Sequence, residues 1–365
     1  MIEAKQSIKH LNRLKDIGSD RSAFVRMDKN ERSTPFPEKV FHEMMSNISS
    51  ELLTMYPDQR PLYKKLSSFL ELDKDSILLS SGSDAAIKMI FETYVRPGDE
   101  VIMLDPTYAM VGVYIKMFEA KQITIKFSSD LILPFDQLIS SISSNTRMVF
   151  ICDPNQPTGT IITEEQIVLL LDKCFKTETL VIFDEAYYQF SQRDSVISHL
   201  KNYPNLIILR TFSKAFGLAA VRLGYIVSQS CNIDSLYKVK TLADINLFAL
   251  KFGEYLLDNN HIVLDYVKNI DESKLLIKKT LTTLNIECIG GHANFIHIRL
   301  PENYDLKKIY EDMKKRGYLL RVTGKDLPAT LEGCIRITVG PYKQMQEFLN
   351  VFQEVIKENT KLVYV

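Results

Sequence analysis

A lysine flanked by hydroxyls, just past an apolar run, is the first candidate for chemistry: Thr211-Phe-Ser-Lys-Ala-Phe-Gly217 follows Leu206–Leu209. Lys214 there is a candidate Schiff-base amine, with an ordinary solvated lysine as the competing reading. Asp184 precedes Lys214 by 30 residues, and Arg222 follows it by eight. Asp184 belongs to Leu180–Tyr187 (LVIFDEAY), an apolar run that delivers Asp184 and Glu185 at its end, with Tyr187 beyond. Open α/β sheets bind ligands beyond the carboxyl ends of their strands, so an acid there has a use; capping a turn is the alternative. Asp153-Pro-Asn-Gln-Pro-Thr-Gly-Thr160 follows another apolar run and sets the amides of Asn155 and Gln156 in a sharp turn. That turn meets a ligand or is a plain loop. In Ser80-Ser-Gly-Ser-Asp84, small residues lead into a helix whose first-turn N–H groups, at Ser83 and Asp84, suit a phosphate. The stretch matches neither a P-loop nor a dinucleotide fingerprint, and a simple helix cap is its competing reading.

These residues need elements to hold them. Apolar runs rich in Ile, Val and Leu predict strands over 76–79, 100–104, 122–127, 148–152, 180–183, 206–209 and 223–227. The runs are rich in Ile, Val and Leu on both faces, as in a sheet covered by helices on both sides. Between them Ile167, Leu170, Leu171 and Cys174 recur at helical spacing, and Thr163 with Gln166 forms a capping-box signature. Alternating units from about 76 to 230 predict a mostly parallel α/β sheet. Residues 246–283 read as long helices. Strands over 294–300, 318–322 and 334–339 follow, with helices marked by Leu306/Ile309/Met313 and Met345/Phe348/Phe352. The expected division is an N-terminal segment, 1–47, packing with a small α+β domain, 265–365, around a large domain, 48–264.

Composition narrows the class of partner. The 365 residues carry 45 basic and 45 acidic side chains, so the net charge is zero. Nucleic-acid binding calls for a basic excess, and a membrane span for about 20 apolar residues; neither is expected here. Five scattered cysteines with no C-x-x-C pair predict reduced thiols and a cytoplasmic location, and the N-terminus has no signal-like apolar core. The six histidines form no metal-ligand pattern, so no metal is expected.

Taken in order, these motifs resemble the histidinol-phosphate aminotransferase family, among the fold type I pyridoxal-phosphate enzymes of the aspartate-aminotransferase superfamily. The resemblance also runs through Asp28-Lys-Asn-Glu31, Tyr56-Pro-Asp58, Pro106-Thr-Tyr108, Ala293-Asn-Phe295 and Arg336-Ile-Thr-Val-Gly340. It implies pyridoxal 5'-phosphate carried on Lys214, with Asp184 paired to the ring nitrogen. By the same resemblance Tyr187 meets the ring's phenolic oxygen and Tyr108 stacks on the ring, while Ser83, Asp84, Ser213 and Arg222 grip the phosphate. Arg336, Arg321 and Asn30 would take the substrate, two cations suiting a carboxylate, a phosphate or both. A surface ion pair is the other reading of Arg321. Tyr56 would reach into the partner's site of a homodimer. Three departures stand out. Gln156, with Asn155 beside it, occupies the family's asparagine position, and either amide can make that contact. Ala220 replaces a common glycine, and Leu11-Asn-Arg-Leu-Lys15 replaces a Leu-x-Pro-Tyr element. The implied activity is transfer of an amino group between a glutamate-like donor and a small, phosphorylated carbonyl compound. The alternative is decarboxylation of a phosphorylated amino acid of the serine/threonine-phosphate type.

Overall fold

The computed structural model describes residues 2–9, 11, 20–322 and 331–359. The expected departure at 11–15 therefore lies, beyond Leu11, outside the described residues. In chain order the strands are β1 (Val25–Arg26), β2 (Ile77–Ser80), β3 (Glu100–Asp105), β4 (Lys121–Lys126), β5 (Thr146–Cys152), β6 (Leu180–Asp184) and β7 (Leu206–Thr211). Then come β8 (Gly224–Ser228), β9 (Glu287–Ile289), β10 (Phe295–Arg299), β11 (Tyr318–Leu319), β12 (Arg321–Val322) and β13 (Ile335–Thr338).

Seven strands make the large sheet, in the order β2-β8-β7-β6-β5-β3-β4. All its pairings are parallel except those of β8, which runs antiparallel to both β2 and β7. Alternating side chains of every strand but the edge strand β4 enter two separate cores. Val181 and Phe183 join one with Ile208 and Leu79, whereas Ile182 joins the other with Leu209 and Leu78. Residues apolar on both faces are what such burial requires, and this is why the strands read as unbroken apolar runs. Ala86, Ile87, Ile90 and Phe91 of the helix Ser83–Tyr94 cover one face. On the other face the helix Glu164–Lys176 buries Ile167, Leu170, Leu171 and Cys174. Its capping box forms as expected: Gln166 N donates to Thr163 Oγ1 at 3.3 Å, and Thr163 N donates to Gln166 Oε1 at 3.0 Å.

A four-stranded sheet, β12-β13-β10-β9, is built from the C-terminal third. The run 318–322, expected as one strand, divides at Leu320. Its first half pairs in parallel with β1 and its second half with β13. β9 was not anticipated; its three residues, Glu287, Cys288 and Ile289, are only half-buried at most and carry no apolar run. The helix His261–Thr283 is continuous through residue 265. Among the described residues no helix is long and apolar enough to cross a membrane.

Candidate active site

A cavity of about 160 Å³ opens where β5, β6 and β7 end, and both Asp184 and Lys214 line it. Asp184 closes β6, aligned with Cys152 on β5 and with Leu209 on β7. Its carboxyl is buried and accepts one backbone hydrogen bond, from Ala186 N at 3.1 Å. Burial pushes that carboxyl up to about 7, against the pull of the Ala186 N–H and the Lys214 charge. The neighbouring Glu185 points elsewhere: Arg210 Nε and Val196 N donate to it at 3.0 and 2.8 Å. That buried pair holds the ends of β6 and β7 together, so only one of the two adjacent acids faces the cavity.

Lys214 Nζ donates to two carbonyls of the N-terminal segment, Asn30 O at 3.1 Å and Lys29 O at 3.4 Å. It also lies 5.3 Å from the centre of the Tyr187 ring. Asn30 Nδ2 donates to the Tyr187 hydroxyl at 3.2 Å, and Asn294 Nδ2 donates to Asn30 O at 3.2 Å. Asn30 has φ +56°, a left-handed conformation that asparagine tolerates, and this turn presents its carbonyl to the lysine. Tyr108 also lines the cavity, and burial raises its phenol.

Ser83, Asp84, Ser213 and Arg222 line the same cavity. Ser83 and Asp84 begin the helix Ser83–Tyr94 after Gly82, whose φ is +81°. Arg222 Nη1 donates to Ser213 Oγ at 3.4 Å and to Ala219 O at 3.1 Å. Its other terminal nitrogen covers Gly82, where an added Cβ would approach within 2.7 Å. A helix N-terminus, two serines and a guanidinium thus converge, the donor set an oxyanion needs.

Gln156 lines the cavity, whereas Asn155 does not. The Asn155 amide braces the loops instead: Nδ2 donates to Pro106 O at 3.0 Å and Thr158 Oγ1 at 2.8 Å, and Oδ1 accepts from Thr107 at 2.8 Å. Tyr56 is 91% exposed and is not a lining residue. Arg336, 8% exposed, donates from Nη2 to Asp28 O at 2.7 Å, and its Cζ lies 5.6 Å from the Phe295 ring centre. Burial lowers its guanidinium from the usual value. Arg321 is its register partner on β12 and is exposed. Residue types alone left Asn294 and His297 unassigned, although Asn294 stands inside a quoted motif and His297 interrupts an apolar strand.

The family model described as aminotransferase class I and II matches residues 24–352. The histidinol-phosphate aminotransferase of Christiangramia forsetii is 32% identical, over 90% of this chain and 93% of its own. Among solved structures, the histidinol-phosphate aminotransferase from Sinorhizobium meliloti in complex with pyridoxal-5'-phosphate aligns with a TM-score of 0.85. It is 22% identical and covers 98% of each chain. The L-threonine-O-3-phosphate decarboxylase from Porphyromonas gingivalis aligns with a TM-score of 0.76 at 20% identity, over 91% of this chain and 98% of that one. These two likenesses establish a shared fold.

Proposed function

Because this chain belongs to the aminotransferase class I and II family, and within it to the histidinol-phosphate aminotransferases, we propose that it is a pyridoxal-phosphate-dependent aminotransferase. In this reading it moves an amino group between a glutamate-like donor and a small phosphorylated carbonyl compound, working as a cytoplasmic homodimer. The observation that carries the reading is one cavity holding a lysine amine, a buried carboxyl and an anion cradle. That donor set fits pyridoxal phosphate group for group: an acid for a ring nitrogen, a lysine for an aldehyde, and a cationic helix N-terminus for a phosphate. Asp84 suits the phosphate through its backbone N–H, in the first turn of the helix Ser83–Tyr94.

Pyridoxal phosphate supplies the electron sink that makes a bond at the substrate's α-carbon labile. The chain's residues divide the remaining work. Lys214 would hold the cofactor through Nζ and serve as the base for the α-proton. Asp184 would pair with the ring nitrogen, and Tyr187 and Gln156 would be the partners for the phenolic oxygen. Tyr108 would pack against the ring, while the Ser83 and Asp84 N–H groups, Ser213 and Arg222 would hold the phosphate. Arg336, Arg321 and Asn30 hold the substrate, with Arg336 already desolvated and therefore strongly attracted to an anion. The proposed division is a cofactor domain over 48–264 and a small domain over 265–365. Of the N-terminal segment, β1 pairs with β11 of the small domain, whereas the helix Glu38–Ser46 packs on the helix Leu247–Asp258 of the large one, and Tyr56 would serve the partner's site.

The test is spectroscopic. Wild-type protein is expected to carry covalently held cofactor and convert it to its amine form with phosphorylated amines, and Lys214→Ala to do neither. Covalent attachment and normal turnover in Lys214→Ala would overturn the reading. Carbon dioxide release from a phosphorylated amino acid, with the aldehyde form retained, would replace transamination by decarboxylation on the same scaffold.

A further inference from the structure

The loop 153–160 meets the C-terminal sheet along a seam where glycine backbones lie close together beside the Phe295 ring. Gly159, at φ +70°, would place a Cβ 3.4 Å from Gly290 Cα and 3.6 Å from Gly291 N. Gly290, at φ +88°, would place one 3.4 Å from Thr158 O. Backbone therefore lies close to backbone, and the positive φ at both positions is what favours glycine there.

The His297 side chain makes a hydrogen bond across this seam. His297 on β10 is fully buried, and its Nε2 lies 2.7 Å from Pro157 O. A carbonyl oxygen only accepts, so Nε2 carries the proton and Nδ1 is the bare nitrogen. Burial holds the imidazole down at about 4 against the raising effect of the Pro157 bond, with the Arg336 charge adding to the lowering. The ring is therefore a neutral donor near pH 7. His297 pairs in register with Arg336 on β13, which pairs in turn with Arg321 on β12. Pro157 directly follows Gln156, which lines the cavity. The Phe295 ring, edge-on to His297 at 5.9 Å and to Tyr187 at 5.5 Å, packs between them. Among the described residues, His297 Nδ1 and Arg336 Nε are both buried without a hydrogen-bond partner, so the Pro157 bond is the polar tie that fixes this ring.

We propose that His297 is a positioning residue: its hydrogen bond to Pro157 O ties the strand row carrying Arg336 to the loop carrying Gln156. The substrate-side cation and the cavity amide are thereby kept in one fixed relation. The kinetic consequence rests on the proposed function; the coupling itself does not.

Hydrogen exchange of the full-length holoenzyme tests the coupling directly. His297→Leu is expected to accelerate amide exchange over 155–160 and to raise the KM for the anionic substrate. Each effect should be on the order of tenfold, the consequence of one buried carbonyl left unpaired. His297→Gln, whose amide can donate to the same carbonyl, is expected to restore both to within about threefold. Wild-type exchange in His297→Leu would overturn the proposal, as would equal perturbation by Leu and Gln, which would mark the ring as packing only. Should His297→Leu not fold, His297→Asn, a shorter amide, takes its place, and equal exchange in the Asn and Gln variants would overturn it. If Lys214→Ala retained covalent cofactor, the functional reading would fall while the exchange result stood.

Discussion

Asp184 is a carboxyl placed where its own charge is unwelcome. Its ordinary value, 3.8, is raised to about 7 by burial. The folded chain therefore binds this proton more tightly than the unfolded chain does. Between about pH 4 and 7 folding takes up a proton, so this group's contribution to stability falls as pH rises through that window and levels off above it. A protonated ring nitrogen beside the carboxylate would reverse the balance, so a site poor for the lone acid is a good one for an ion pair. Asp184→Asn keeps an oxygen for the Ala186 N–H and removes the charge. In protein stripped of its cofactor it should melt with wild type near pH 4 and several degrees above it near pH 8, a gain of a few kcal/mol. Its turnover should fall about a hundredfold or more, because the charge that supports the ring is gone. Thermal melts across pH check the first half: a lower midpoint for the variant at pH 8 would mean that burial does not penalise this carboxylate.

At the scale of elements, β8 decides the shape of the anion cradle. It runs antiparallel between β2 and β7, and Gly224 stands opposite both Ser80 and Thr211, where the two cradle motifs begin. A Cβ on Gly224 would meet Gly82 C at 2.8 Å and Ser83 N at 2.9 Å. Both are backbone atoms, so nothing can swing aside as a flexible side chain would. Gly224→Ala should therefore push the Gly82–Ser83 turn off Arg222 and weaken pyridoxal-phosphate binding by about tenfold or more, while far-UV circular dichroism stays native. Titration calorimetry measures this; unchanged affinity would show that the cradle tolerates the displacement. The existence of β8 is legible in an apolar run, but its direction is not, because residue types are the same for a strand traversed either way. The break at Leu320 is hidden for a similar reason: which sheet each half joins depends on β1 and β13, hundreds of residues away or just ahead in the chain. The motifs around Lys214, Asp184 and Arg222 are legible because side-chain chemistry marks them. The carbonyls of Lys29 and Asn30 that receive the Lys214 amine carry no such mark, since every residue has one. Asn155 and Gln156 were indistinguishable as neighbouring amides until the loop turned one inward as a brace and the other toward the cavity.

For the whole molecule, zero net charge from 45 basic and 45 acidic residues is an average over an uneven distribution. Lys214 and Arg222 line one cavity, and among the exposed apolar side chains some lie in or close in sequence to a groove elsewhere. Tyr56 is 91% exposed and Leu242 87%, with Leu53, Met55 and Tyr237 also exposed. Tyr237 and Leu242 share a groove with Gln59, Arg60 and Tyr63, just beyond Tyr56 in the chain. In the proposed homodimer this groove is a surface that a second copy would cover. If Tyr56 then enters the partner's site, each site draws Lys214 from one chain and Tyr56 from the other. Tyr56→Ala and Lys214→Ala protomers, each impaired alone, would complement each other on mixing. A hybrid dimer contains one site with both substitutions and one with neither, so random reassortment should restore about a quarter of the sites to wild-type behaviour. Unfolding and refolding the two variants together, then measuring amine transfer against each variant refolded alone, reads that fraction. No recovery, with hybrid dimers demonstrated by differential tagging, would place Tyr56 in its own chain's site or in none.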